Sequence, residues 1–274
     1  MSREEKRPKL ALPKRNPDSH KGQNGRVLVV GGSDDYVGAP ALAGLAALRA
    51  GCDLVKIAAP EKAAWAINTL SPDLITVKLR GRRIGQSHVG SIVRMSRGFD
   101  AVLVGPGMSK VDRKAVNSIL RGVVKSGVPI VMDADALKVA DMCMLKNAVL
   151  TPHAKEFVDM LQFNRMTALA EEMEDRTMSV AEKVRLIQNG LDDFFAEGNV
   201  LLLKGRHDLV VSKDRSLVSK GGNAGMTVGG TGDILAGMCA GYLAQTADLF
   251  TSAGLASHNC KRIGDALLKS SNFG

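Results

Sequence analysis

The sequence is poor in aromatic residues, with seven Phe, two Tyr and one Trp among 274 positions, so its core has to be built from aliphatic side chains. Cysteine is equally sparse, at Cys52, Cys143, Cys239 and Cys260. The spacing matches neither a CxxC zinc pattern nor the framework of a disulfide-stapled domain, and it predicts buried thiols in a reducing compartment. No stretch approaches the roughly 18 consecutive apolar residues of a membrane span. The N-terminal MSREEKRPKLALPKRN lacks the hydrophobic region of a signal peptide. These absences predict a soluble, cytoplasmic protein with no membrane partner. Low-complexity segments, internal repeats and a linker between domains are also missing, so one domain over 1–274 is the economical reading, with 1–17 as an extended N-terminal segment.

What is present is charge of both signs, 37 Lys and Arg against 28 Asp and Glu for a net +9, and 29 glycines. The basic residues are dispersed, and the few aromatics do not interleave with them as a nucleic-acid platform requires. A nucleic-acid partner is therefore not expected. A basic balance suits small polyanions such as nucleotides, whose local concentration it raises.

Short aliphatic runs alternate with longer helical patterns, which predicts an α/β fold with a central, mostly parallel sheet flanked by helices. The expected strands are Val27–Val30, Leu54–Ala58, Ala101–Val104, Pro129–Met132, Ala148–Leu150, Val200–Leu203 and Leu209–Ser212. Helices are expected at Ala41–Ala50 and Val111–Lys125. A third begins with a capping box at Ser179 and Glu182, and its apolar face runs through Val180, Val184, Ile187, Leu191 and Phe194. Residues 164–178 fit either a mobile connection or a helix on the surface.

The clearest chemical signal is GGNAGMTVGGTGDILAG over 221–237. Gly229, Gly230, Thr231 and Gly232 form a glycine loop that enters a helix, where bare N–H groups and the helix dipole suit phosphate oxygens. Asp233 falls on the first turn, placed to take a proton from a substrate hydroxyl while the amides hold a phosphoryl group; simple capping explains it as well. Neither GxGxxG nor GxxxxGK[ST] is present, so the loop is neither a Rossmann fingerprint nor a P-loop. In Leu150-Thr151-Pro152-His153-Ala154-Lys155-Glu156 a strand ends with Thr151 as the expected N-cap and Pro152 as the first helical residue. His153 and Glu156 then share a face, from which they could address a substrate or, through water, a Mg²⁺ held by nucleotide phosphates; a capped surface helix start is the alternative. Lys204-Gly205-Arg206-His207-Asp208 reads as a basic hairpin turn, able to hold a nucleotide or simply to face solvent. Gly31–Pro40 (GGSDDYVGAP), Gly105-Pro106-Gly107 and Asp133-Ala134-Asp135 also follow strand ends, where open parallel sheets place ligands. For Asp133 and Asp135, capping of the helix at Ala136 is the expected role.

The chain resembles the ADP-dependent (S)-NAD(P)H-hydrate dehydratases, a family of the ribokinase-like superfamily. The resemblance rests on His20-Lys21-Gly22, Val27–Ser33, Gly38-Ala39, Ala47–Gly51, Gly105-Pro106-Gly107, Asp133–Leu137, Leu150–Glu156, Leu203-Lys204-Gly205 and Gly222–Gly237, in order over roughly residues 18–245. It implies a three-layer ribokinase-like fold in which Gly229 to Gly232 are an anion hole and Asp233 is the catalytic base. It further implies that Gly38, Ala39, Gly107, His153 and Asp233 hold the hydrated NAD(P)H, and that Lys204, Gly205, Arg206, His207, Asp208 and Gly232 hold ADP, the co-substrate. Mg²⁺ is the implied cofactor, with Glu156 its nearest protein group, and a homotetramer the implied assembly. Many relatives carry a fused N-terminal epimerase domain, for which the residues before His20 leave no room, so a separate NAD(P)H-hydrate epimerase is the expected functional partner. Lys155, Ala224 and Val37 depart from the family's usual Gly, Pro and Pro. The other activity open to the same loop and base is that of a ribokinase-like kinase phosphorylating a thiazole or pyrimidine alcohol with ATP.

Overall fold

The computed structural model describes residues 10–12, 14–175 and 177–271. Nine strands among them form one sheet: β1 (Arg26–Val30), β2 (Leu54–Pro60), β3 (Ile75–Leu79), β4 (Ala101–Val104), β5 (Ile130–Met132), β6 (Ala148–Leu150), β7 (Val200–Leu203), β8 (Asp208–Val211) and β9 (Ser216–Ser219). Their spatial order is β3-β2-β1-β4-β5-β6-β7-β8-β9. Strands β1 to β7 pair in parallel, whereas β8 and β9 are added antiparallel. The expected strands are all present, three with the expected ends and four with ends displaced by one or two residues. The edge strands β3 and β9 were not anticipated; β3 reads ITVKL, with polar residues and an exposed Ile75 in place of a continuous apolar run.

Alternation along each strand divides the core in two. Val27 and Val29 of β1, Ala101 and Leu103 of β4, Val131 of β5 and Leu202 of β7 face one layer of helices, α1 (Gly38–Arg49), α2 (Glu61–Leu70), α9 (Thr231–Thr246) and α10 (Leu249–Ser271). Leu28, Val30, Val102, Val104, Met132 and Leu201 face the other. That second layer holds α3 (Gln86–Ser96), α4 (Arg113–Lys125), α5 (Ala154–Phe163), α6 (Thr167–Met173), α7 (Val180–Gly190) and α8 (Asp192–Ala196). Strands buried on both faces need continuous aliphatic runs, which explains why β1, β4 and β7 were legible.

The capping box at the start of α7 is present, with Ser179 N–H donating to Glu182 Oε2 at 2.8 Å and Glu182 N–H to Ser179 Oγ at 3.3 Å. Its apolar face is interrupted, however. Val180 is exposed and the helix ends at Gly190, so Leu191 and Phe194 belong to the break and to α8. Within 164–178, residues Thr167–Met173 form α6 and bury Leu169 and Ala170. Of the expected extended segment 1–17, residues 1–9 and 13 lie outside the described residues. The remainder has no helix or strand, and Arg15 donates to Asp53. No helix among the described residues is long and apolar enough to cross a membrane.

Helices α1 and α9 approach closely because α9 presents Gly237 and Gly241 to α1. A Cβ at Gly237 would overlap the Ala43 carbonyl, and one at Gly241 would lie 2.6 Å from the Ala47 carbonyl oxygen. Backbone against backbone, the two helices carry their N-terminal loops side by side at the C-terminal edge of the sheet.

Candidate active site

The loops at that edge supply the chemistry. Gly230 precedes α9 with φ +95°, a left-handed conformation that suits glycine, and a Cβ there would lie 2.7 Å from Leu42 Cδ1 of α1. This turn directs the first amides of α9, which have no partner within the helix, outward from its N-terminus. Asp233 follows one residue after Gly232.

Beside it stands a cluster not anticipated from the sequence. Asp133 is not the expected cap of the short turn Ala134–Ala136, since its side chain makes no capping bond. It is 2% exposed, and its Oδ1 accepts from Thr151 Oγ1 at 2.8 Å and from Lys204 Nζ at 2.8 Å. Thr151 is likewise not the N-cap of α5. His153 is, its Nδ1 accepting from Glu156 N–H at 3.2 Å while Glu156 Oε2 accepts from His153 N–H at 2.8 Å. A hydroxyl beside a buried, charged carboxylate is better used there than on an adjacent helix, and the imidazole takes over the cap. Lys204 Nζ also lies 3.7 Å from Glu156 Oε2, and the Lys204 N–H donates to the Pro152 carbonyl at 2.8 Å, extending the β6–β7 pairing to His153.

Lys204 is the single ammonium in this group. Burial works against its charge, but the carboxylates of Asp133, Glu156 and Asp233 hold it above the ordinary lysine range. Asp233 is pushed up to about 6, first by burial and then by the like charge of Asp133, against the opposing pull of Lys204; Asp135 and Glu156 add smaller upward pushes. A helix N-terminus favours the ionised form, so burial and neighbouring carboxylates outweigh the dipole. A carboxylate tuned toward neutrality accepts a proton better than an ordinary one and remains mostly ionised at pH 7.

A cavity of about 900 Å³ opens next to this cluster. Its wall brings together His153, Lys204, Gly205, Arg206, Asp208, Thr231 and Gly232 from the residues singled out in the sequence. His207 is exposed and lies outside the wall, as do Glu156, Gly229, Gly230, Asp233, Gly38, Ala39 and Gly107. Those last three meet at the ends of β1 and β4, where a Cβ on Gly107 would lie 2.9 Å from Tyr36 Cβ and 3.1 Å from Ala39 Cβ. Asp208 faces inward, its oxygens accepting from Gly205 N–H at 2.9 Å and Ser257 Oγ at 2.6 Å.

Several wall residues were missed, among them Asn223, Met226, Leu235 and Lys261. Lys261, buried on α10, is 3.3 Å from Asp208 Oδ1 and donates to the carbonyls of Gly205 at 3.1 Å and Arg206 at 3.2 Å, fixing the hairpin turn. Asn223 Nδ2 donates to the Gly264 carbonyl at 2.9 Å, and Gly222 N–H to Asp265 Oδ2 at 3.0 Å, tying the glycine-rich segment to α10. Only Asn223, preceded by Gly221 and Gly222, carried a local signal.

The site therefore has a glycine-led helix start, an adjacent carboxylate and a cavity of about 900 Å³ at the C-terminal edge of a mostly parallel three-layer fold, an architecture of the ribokinase-like class. A family model described as NAD(P)H-hydrate dehydratase matches residues 27–273, and the chain belongs to that family. It is 40% identical over 255 residues, 90% of its length, to the bifunctional NAD(P)H-hydrate repair enzyme Nnr of Methanothermobacter thermautotrophicus, of which it covers 46%. It thus spans about half the length of that relative. It is 35% identical over 258 residues to the ADP-dependent (S)-NAD(P)H-hydrate dehydratase of Cenarchaeum symbiosum, covering 93% of this chain and 85% of that protein. The crystal structure of the ADP/ATP-dependent NAD(P)H-hydrate dehydratase from Bacillus subtilis, co-crystallized with ATP/Mg²⁺, superposes with a TM-score of 0.74 at 25% identity, over 94% of this chain and 86% of that one.

Proposed function

We propose that the chain is an ADP-dependent (S)-NAD(P)H-hydrate dehydratase that returns the hydrated cofactor to NADH or NADPH. The observation that carries this reading is Asp233, a carboxylate raised to about 6, on the first turn behind Gly230 and within electrostatic reach of Lys204. The names of the relatives supply the substrate.

Asp233 takes the proton from the C6 hydroxyl of the hydrated ring, and that oxygen attacks the terminal phosphorus of ADP as the bond to AMP breaks. The amides from Gly229 to Gly232 meet the charge on the phosphoryl oxygens. Phosphate is then a competent leaving group. The ring nitrogen's electron pair expels it from C6, and loss of a proton from C5 completes the dihydronicotinamide. The products are NAD(P)H, AMP and phosphate. Gly38, Ala39, Gly107 and His153 hold the hydrated ring. Lys204, Gly205, Arg206 and Gly232 meet the nucleotide; Asp208 and Lys261 shape the turn that carries them.

No three His, Cys, Asp or Glu side chains converge on one point among the described residues, so they build no metal cage of their own. They do fit a cation carried on the nucleotide. Asp133, Glu156 and Asp233 all act on the Lys204 ammonium, and Glu156 keeps Oε1 without a hydrogen bond among the described residues. Magnesium, which typically keeps several waters and takes one or two carboxylates beside substrate phosphates, would be held near Glu156 and would offset phosphate charge during transfer. We extend the proposal to a cytoplasmic homotetramer and to an epimerase activity that supplies the (S) hydrate.

The test is to incubate purified protein with NADH hydrate, Mg²⁺ and ADP, following dihydronicotinamide absorbance and released phosphate. Stoichiometric NADH and phosphate are expected. Asp233→Asn is expected to lower turnover by about 10² or more while sparing nucleotide affinity, the usual scale for a positioned base. A stable phosphorylated alcohol made from ATP, with no NADH formed, would move the assignment to a small-molecule kinase.

A further inference from the structure

Among the described residues, three buried side-chain oxygens have no hydrogen-bond partner: Ser33 Oγ, Asp34 Oδ1 and Ser219 Oγ. Two of them are consecutive, in the loop that leaves β1, and Ser33 is only 2% exposed. Unpaired buried polar atoms are costly and uncommon in native proteins, so a neighbouring pair calls for a ligand or another role.

Their position narrows the choice. The chain runs from β1 outward to β2 and β3 and returns to β4 on the other side of β1, so the strand order reverses between β1 and β4. Open α/β sheets seat ligands beyond the strand ends at such a point. There Gly32 N–H donates to the Pro106 carbonyl at 2.8 Å, and Tyr36 lies against Gly107. The same loop continues into Gly38 and Ala39 at the start of α1.

We propose that Ser33 and Asp34 form a carboxamide subsite that orients the hydrated nicotinamide ring, an inference that rests on the dehydratase reading. A primary carboxamide presents N–H donors and one carbonyl acceptor. An ionised Asp34 Oδ1 accepts, and the Ser33 hydroxyl donates, so the pair supplies the complement. The carboxamide at C3 and the hydroxyl at C6 stand at opposite ends of the ring. A ring with its C6 hydroxyl at Asp233 therefore carries the carboxamide away from α9, and the loop from β1 lies beside α9 because Leu42 of α1 rests on Gly230. Arg82 Nε donates to Asp34 Oδ2 at 2.6 Å and fixes the carboxylate, leaving Oδ1 for the substrate. The Ser33–Tyr36 turn that follows these side chains is closed by two backbone hydrogen bonds of 3.3 Å.

The experiment compares wild type, Asp34→Ala and Ser33→Ala on two substrates with ADP: NADH hydrate, and the hydrate of reduced 3-acetylpyridine adenine dinucleotide, in which a methyl group replaces the amide nitrogen. Asp34→Ala should lower kcat/KM for the carboxamide substrate about tenfold or more beyond any loss on the acetyl substrate, because only the former has the N–H that Asp34 accepts. Ser33→Ala should lower kcat/KM on both by a similar factor, since both keep the carbonyl, without lowering Tm or raising KM for ADP. A merely structural hydroxyl would behave differently, its loss lowering Tm. The subsite is overturned if Asp34→Ala affects the two substrates alike or neither, if Ser33→Ala leaves both unchanged, or if its Tm falls by several degrees. Failure of the wild type to turn over NADH hydrate overturns the dehydratase reading, and the subsite with it.

Discussion

Replacing Asp133 by Asn tests whether the pair it forms with Lys204 governs the base. In the wild type Asp233 sits at about 6. One ionisation at that value leaves about nine-tenths of the base active at pH 7 and about one-tenth at pH 5, so kcat/KM falls roughly tenfold between them. An ordinary aspartate would still be mostly ionised at pH 5. Asp133→Asn keeps the shape and an oxygen to accept from Thr151, but removes the like charge that raises Asp233 and leaves Lys204 to act more fully on it. Both changes favour ionised Asp233, so the acid limb moves to lower pH, by about one unit on the usual scale for neighbouring charges. The assay is initial phosphate release across pH 4.5–8, at saturating ADP and limiting hydrate, because NADH itself decomposes in acid. Titration of ADP is common to both proteins, so the difference between the profiles isolates Asp233. An unmoved limb, or one displaced to higher pH, would refute the electrostatic argument, and a wild-type profile flat to pH 5 would remove Asp233 as the base.

Gly237→Val places branched carbons against the Ala43 carbonyl and forces α1 from α9; thermal unfolding should show a loss of about 3 kcal/mol or more, with activity falling alongside as both loops shift. Asp53 accepts from Gly22 N–H at 2.8 Å and from Asn24 N–H and Nδ2, each at 3.0 Å, and it pairs with Arg15. Burial opposes its charge, yet the Asn24 and Gly22 donors and Arg15 hold its carboxyl below the ordinary range. That contribution is complete at neutral pH and is lost as acid protonates the group, so Asp53→Ala should cost about 2 kcal/mol at pH 7 and progressively less in acid, measured by denaturant titration. Chelation with EDTA should abolish turnover until Mg²⁺ is restored, while the Tm measured without nucleotide stays the same.

The sheet was legible wherever strands are buried on both faces, because burial demands an unbroken aliphatic run. It was not legible at β3, where an edge tolerates Thr and Lys, nor at β9, SLVS, which the antiparallel hairpin requires more than its residues announce. In the site, contiguous features were readable: the glycine loop, Asp233, and His153 with Glu156. Asp133 was misread because its partner Lys204 lies 71 residues away, and local spacing offered capping as the simpler role. Lys261 lies 56 residues from the Gly205 carbonyl that it binds, on a helix with no chemical motif. Contacts across the fold create those roles, and local sequence does not record them.

The cavity proposed to receive the nucleotide is walled by the start of α5, the β7–β8 turn, the glycine-rich segment and α10, with no residue from the loops after β1 and β4. On the proposed reading, donor and acceptor have largely separate berths, with His153 of the cavity wall also facing the hydrated ring. On that reading the two substrates are expected to load in either order, which initial rates with both substrates varied would show. A protein that binds its substrates so would stand already charged with its phosphoryl donor when the hydrated cofactor arrives.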